Sequence, residues 1–261
     1  MGKGWSKGLT AATDARVARA AAAHRGKTYM SHLPPGKDRR RVTDPFRADG
    51  WTPRLAYAVG LIATDGCLSR GRTIAFKSMD RELVTLLLES LGKRNRVSAA
   101  RTRSDGIVYV TQIGDVALYR WLLTIGLTPR KSLTLGAIDV PDSVLLDLTR
   151  GLLDGDGSIL NETARADTGR RDDYYWEYLR TKFVSASRVH VEWLQTRLRA
   201  HVGLNGYIEW SRRGDGRSDM YALRYGKRES VKLLPLLYAD PDAPRLRRKW
   251  QIWTDYVARH P

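Results

Sequence analysis

The chain has 261 residues, enough for one large domain or two small ones and for a sizeable buried core either way. Its 45 Lys and Arg exceed its 28 Asp and Glu by 17, and 8 Trp and 12 Tyr accompany that excess, so a polyanion is the first partner to expect. The single cysteine, Cys67, excludes disulfide frameworks and cysteine-based zinc or iron–sulfur sites, and no run approaches the ~20 uninterrupted apolar residues of a membrane span.

Residues 1–50 hold 11 bases and 4 acids around one Ala-rich stretch, too little apolar mass for a core of their own. They are expected to form a basic N-terminal arm that lies on nucleic acid, with Trp5, Lys7, Arg39, Arg40 and Arg41 as contacts. The cysteine usage predicts a reducing, intracellular setting such as the cytoplasm. The base-rich, acid-poor residues 1–37 make an organellar address the alternative.

Beyond Gly50 the sequence repeats itself. A glycine (Gly60, Gly151) is followed by two aliphatics, two further residues, an Asp-Gly pair (Asp65-Gly66, Asp156-Gly157), one residue and another aliphatic. The two aspartates are 156 − 65 = 91 residues apart. Each copy predicts an apolar helix ending at Asp-Gly, then a hairpin, a helix, a second hairpin and a leucine-rich helix. The later helices are expected over 80–91 and 115–123 in the first copy, and over 188–200 and 229–237 in the second. Asp139-Val140-Pro141-Asp142 is the seam, which divides the chain into 51–140 and 141–261.

The repeated aspartate is chemically awkward. A helix C-terminus carries partial negative charge, so a carboxylate there is disfavoured by roughly 0.3–1 kcal/mol. Having it at the same offset twice calls for a cation beside both, of which a divalent metal is the simplest. Each following glycine is expected to close its helix in the left-handed conformation. Small residues one turn apart, Ala56 with Gly60 and Gly151 with Gly155, predict that the two helices pack closely across a pseudo-twofold axis. Asp65 would then meet Asp156. Such carboxylates repel unless a cation or proton intervenes, and Mg²⁺, which binds through one or two carboxylates plus substrate phosphate, suits hydrolysis of a phosphodiester.

On these residues, Gly60 to Gly66 and Gly151 to Gly157, the chain resembles a monomeric, two-motif LAGLIDADG homing endonuclease. Leu127 to Ser132 and Asp242 to Lys249 add to the likeness, which spans about residues 51–255. The resemblance implies an α+β fold of tandem pseudo-twofold αββαββα repeats whose antiparallel sheets form a DNA-binding saddle, here with a basic N-terminal extension. It implies that Asp65 and Asp156 bind Mg²⁺, with Thr64 and Gly155 beside them in the metal set. Mn²⁺ is expected to substitute, and Ca²⁺ to support binding without cleavage. Ala63 stands where the family often has Asp, but not at the ligand position, and Asp154 in the second copy is expected to be structural.

Cations that offset charge on phosphorus are expected to assist, with Lys77 and Lys227 as the candidates for catalysis. Strand alternation predicts which side chains face DNA. Thr73, Ala75 and Lys77 oppose Ile74 and Phe76, Tyr109 and Thr111 oppose Val108 and Val110, Tyr178, Arg180 and Lys182 oppose Leu179 and Phe183, and Arg224 opposes Leu223 and Tyr225. Turn arginines Arg70, Arg72, Arg101, Arg103, Arg212, Arg213 and Arg217 are expected to reach outer base pairs or backbone, and Lys131 to make either a phosphate contact or a structural one. The expected activity is a staggered double-strand break with 3′ overhangs in a long asymmetric target, made by a monomer without a protein partner. The alternative is a non-catalytic nucleic-acid binder of the same fold, an intron RNA maturase or a DNA-binding regulator.

Overall fold

A computed structural model describes Ala15 and residues 50–260, except 70–71, 103–104, 166–174 and 215–217. Trp5, Lys7, Arg39, Arg40, Arg41, Arg70, Arg103 and Arg217 therefore lie outside the described residues.

The first repeat opens with α1 (Pro53–Asp65). Thr52 starts it, its hydroxyl accepting from the Leu55 amide at 3.1 Å, and Pro53 occupies the first turn, where no amide hydrogen is needed. The chain passes directly into β1 (Gly66–Ser69), then β2 (Thr73–Ser78), α2 (Arg81–Ser90), β3 (Ser98–Arg101), β4 (Ile107–Gly114) and α3 (Val116–Thr124). A 3-10 turn at Asp142–Val144 leads into the second repeat: α4 (Leu145–Asp154), β5 (Ser158–Arg165), β6 (Tyr175–Ser185), α5 (Arg188–Val202), β7 (Tyr207–Ser211), β8 (Met220–Tyr225) and α6 (Lys227–Leu237). Each repeat builds one four-stranded antiparallel sheet, in the order β1-β2-β4-β3 and β5-β6-β8-β7. This is the predicted α+β architecture in duplicate. One more helix, α7 (Arg247–Arg259), closes the chain and packs along β5; the sequence reading did not anticipate it.

The helices α1 and α4 pack against each other between the two repeats. A Cβ at Gly60 would strike the Leu148 carbonyl oxygen, and one at Gly151 would strike the Tyr57 carbonyl oxygen. The offsets 151 − 60 and 148 − 57 are both 91, so the contacts exchange under the repeat symmetry. Thr64 packs on Gly155, again 91 apart, so that Gly155 corresponds to Thr64 and not to the small residue at 56. Only glycine permits backbones this close. Leu61, Ile62, Leu148 and Leu153 from the two helices are fully buried with Ile74 and Phe76 of one sheet and Leu179 and Leu223 of the other. Burying each such side chain contributes roughly 1.5–3 kcal/mol.

The glycines after the aspartates do not have the left-handed backbone expected of them. Gly66 has φ −82°, an ordinary extended value. It is required by crowding instead: a Cβ there would lie 2.5 Å from the Ile62 carbonyl oxygen, and one at Gly157 would lie 2.7 Å from those of Leu153 and Lys182.

Candidate active site where the two helices end

Because α1 and α4 pack at matched glycines, their C-terminal ends converge: Asp65 is the last residue of α1, whereas α4 stops at Asp154, two residues earlier than expected, and Asp156 follows in the turn. Asp65 is half-buried and Asp156 opens to solvent. The surrounding protein and then the charge of Asp156 push the Asp65 carboxyl up to about 6, against the pull of Lys249, Lys131 and a hydrogen bond from Thr64. Desolvation also raises Asp156, opposed by Lys131 and Lys249. The two acids thus sit within electrostatic reach of each other at the negative poles of two helices.

The cations that the sequence demanded beside these acids are, in part, lysines. Lys131, 5% exposed, donates from Nζ to the carbonyl oxygens of Gly66 at 2.6 Å and Thr64 at 3.5 Å. Of the two roles left open for it, this is the structural one. Lys249, 3% exposed, donates to Leu153, Asp154, Gly155 and Gly157 at 2.6–3.0 Å. Each ammonium caps the helix that carries an aspartate, and burial lowers both lysines from their usual range, Lys249 to about 8. Sequence reading missed Lys249 as a site residue because it lies 249 − 156 = 93 positions from its aspartate, in a helix with no counterpart inside the repeat.

Asp154 belongs to the core. It is fully buried, and its Oδ2 accepts from the Tyr57 hydroxyl and the Leu246 amide, each at 2.8 Å. Burial pushes its carboxyl up to about 6. It ties α1, α4 and the start of α7 together, as its expected structural role requires.

Lys77 opens, together with Asp65, Gly155 and Arg248, onto one cleft beside the crossing. In the other half the register continues from the Ser158–Lys182 pair so that Val184 takes the corresponding place, lining a cavity with Asp156, Thr64 and His190. The halves are therefore unequal. Lys227 is not brought to the acids: it begins α6, lies 3.4 Å from Glu177 and faces the ring of Tyr256. Glu177 lies five residues before Lys182 on β6, toward the far end of the hairpin.

Among the described residues, each sheet has one face against helices and one open. Thr73, Ala75 and Lys77 are on the open face, as are Tyr178, Arg180, Lys182 and Arg224, while Ile74, Phe76, Leu179, Phe183, Leu223 and Tyr225 are buried. The expectation for β4 is reversed. Thr111 pairs with Phe76, is 1% exposed and donates to the Arg96 carbonyl, so it and Tyr109 lie on the helix side. Val108, Val110 and Gln112 take the open face, since Val110 pairs with Lys77 and Gln112 with Ala75. Arg72, Arg212 and Arg213 are exposed, and Arg101 is exposed in an ion pair with Asp105 at 3.1 Å.

The residues present fit a hard divalent cation. Among the described residues no group of three or more His, Cys, Asp or Glu gathers to cage a metal. Two repelling carboxylates suit Mg²⁺, which retains water and takes remaining ligands from phosphate. The carbonyl oxygens of Thr64 and Gly155 flank them, each accepting from one of the buried lysines.

No family model matches the sequence, and no curated protein matches it. Among solved structures, the I-LtrWI LAGLIDADG homing endonuclease bound to target DNA aligns with a TM-score of 0.51 over 79% of this chain and 89% of that one, at 9% identity. I-DmoI in complex with DNA and Mn aligns at 0.47 over 72% and 97%, with 14% identity. The N-terminal LAGLIDADG domain of DUF199/WhiA aligns at 0.47 over 74% and 86%, with 11% identity. The chain has the tandem αββαββα fold of LAGLIDADG homing endonucleases.

Proposed function

We propose that the protein is a site-specific DNA endonuclease, hydrolysing phosphodiesters with a divalent metal and cutting both strands of a long asymmetric target to leave 3′ overhangs. The observation that carries this reading is the meeting of Asp65 and Asp156 at the ends of two crossing helices. A fold alone would not argue for catalysis. A pair of mutually repelling, partly desolvated carboxylates is costly to keep in a protein that only binds, and each copy of the repeat supplies one of the two.

Asp65 and Asp156 would hold Mg²⁺, which would polarise the attacking water and offset the charge developing on phosphorus. Lys131 and Lys249 keep the two helix ends closed and limit the repulsion between the acids before DNA arrives. Lys77 supplies a cation toward the phosphate on its side of the crossing. The open sheet faces would take the duplex, with residues 51–140 and 141–261 acting as two unlike halves of a monomer and residues 1–50 as a basic arm along the flanking backbone.

The test is to incubate the full chain with a random duplex library in Mg²⁺ and sequence the cut ends. A single long motif with 3′ overhangs is the expected result. Selective binding without cutting in either Mg²⁺ or Mn²⁺ would overturn the enzyme reading in favour of a non-catalytic binder.

A further inference from the structure

The open faces of the two sheets differ far more than their backbones. On the second sheet Trp176, Tyr178, Arg180 and Lys182 alternate along β6 and point the same way, and Arg224 pairs with both Lys182 and Tyr207 across the strands. Their long donors are held in place. The Arg180 guanidinium lies 4.5 Å from the Tyr178 ring centre, and that of Arg224 lies 5.4 Å from the Tyr207 ring centre. Glu209 binds Lys182 at 2.9 Å and Arg224 at 3.2 Å, which lets two like charges stand opposite each other. A guanidinium fixed in this way loses less freedom when it meets a base edge.

The first sheet presents Ala75, Ala100, Val108 and Val110 on its open face, with the short side chains of Cys67, Ser69, Thr73 and Ser98 around them. Among the described strand residues there, Lys77 is the one charged side chain, and it belongs to the catalytic cleft. Gln112 alone adds a long neutral donor and acceptor. Aliphatic side chains can touch a thymine methyl group, but they cannot bond the edge of a guanine, cytosine or adenine.

We infer that the two halves of the target are read unequally: the β5–β8 sheet fixes base identity, with guanines opposite Arg180 and Arg224, while the β1–β4 sheet accepts most sequences and contributes shape and backbone contacts. The inference rests on the proposed recognition of duplex DNA and specifies which half of the protein carries it. An arginine fork recognises guanine through two parallel hydrogen bonds, and the loss of such a pair reduces discrimination by about tenfold or more.

Binding selection tests it. The full chain is equilibrated in Ca²⁺ with a random duplex library, bound molecules are sequenced, and the selection is repeated with Arg180→Ala, Arg224→Ala and Gln112→Ala. The expected consensus is lopsided: one half has strong preferences that include guanines, and the other is near background. Arg180→Ala and Arg224→Ala should each flatten positions in the strong half by about tenfold, and Gln112→Ala should alter only the weak half. Circular dichroism of each variant separates loss of a contact from loss of the fold. A consensus equally strong in both halves, or a strong half that responds to Gln112→Ala and ignores both arginines, would overturn the inference while leaving DNA recognition intact. No enrichment of any duplex would remove the recognition reading and this inference with it.

Discussion

At the end of α1 a buried lysine holds two carbonyl oxygens, whereas at the end of α4 another holds four. Beside Asp65 the chain has Ala63, and at the matching position before Asp156 it has Asp154, bonded to Tyr57 and to the backbone entering α7. The first half keeps Lys77 at its cleft, and the second has Val184 there. Duplication supplied two equivalent helix ends, and the features kept in both are those that geometry demands: the crossing glycines, the terminal acid and a capping ammonium. Everything else diverged, with anchoring concentrated in the second half and the accessible lysine in the first.

Breaking the shared element should have the largest effect. Gly60→Ala and Gly151→Ala each force a methyl group into a facing carbonyl oxygen, and each should cost about 3 kcal/mol or more in urea unfolding. Gly114→Ala, where nothing lies within 4 Å, should cost less than about 1 kcal/mol.

The unequal caps come next. Removing an ammonium strands buried carbonyls, so Lys249→Met should destabilise by about 3 kcal/mol and Lys131→Met by about 2 kcal/mol, the larger loss falling where more bonds are lost. Equal losses from the two variants would show that the extra bonds at α4 contribute nothing.

A smaller effect, with the opposite sign, is expected at Asp65. Its folded carboxyl titrates at about 6, above the unfolded range, so the folded state holds the proton more tightly and ionisation at neutral pH costs the metal-free fold on the order of 2 kcal/mol. Asp65→Asn should therefore raise the melting temperature at pH 7.5 in the absence of metal. The gain should shrink as pH falls through 6 and vanish near pH 4. The smallest effect concerns the asymmetry of the clefts. Lys77→Ala should slow hydrolysis of one strand about tenfold more than the other, seen as nicked plasmid accumulating before linear product.

Much of this was legible in the sequence, for reasons that also explain the gaps. The duplicated Gly-aliphatic-aliphatic pattern placed the two helices, and the spacing of 91 between acids matched the contact of Gly60 with Gly151. Alternation worked on β2 and β6, where polar and apolar residues take turns. It failed on β4, whose Val108, Val110 and Ile113 put aliphatics on both faces, so that Tyr109 and Thr111 were assigned to the wrong side; only the register with β2 resolves it. Lys227 was chosen for standing after the last strand, but ion pairing with Glu177 holds it elsewhere. The helix α7 has no counterpart in the first repeat, and although Lys249 caps its helix end as Lys131 caps the other, a lysine that acts by collecting backbone carbonyls leaves no mark in residue spacing.

The central claim is that one aspartate from each repeat forms a single metal-dependent centre. Its most direct measurement compares Asp65→Asn and Asp156→Asn on the selected target: binding in Ca²⁺, then cleavage of each strand in Mg²⁺. Both variants should bind like the unaltered protein and fail to produce a double-strand break. Full cleavage of both strands by either variant would contradict the account.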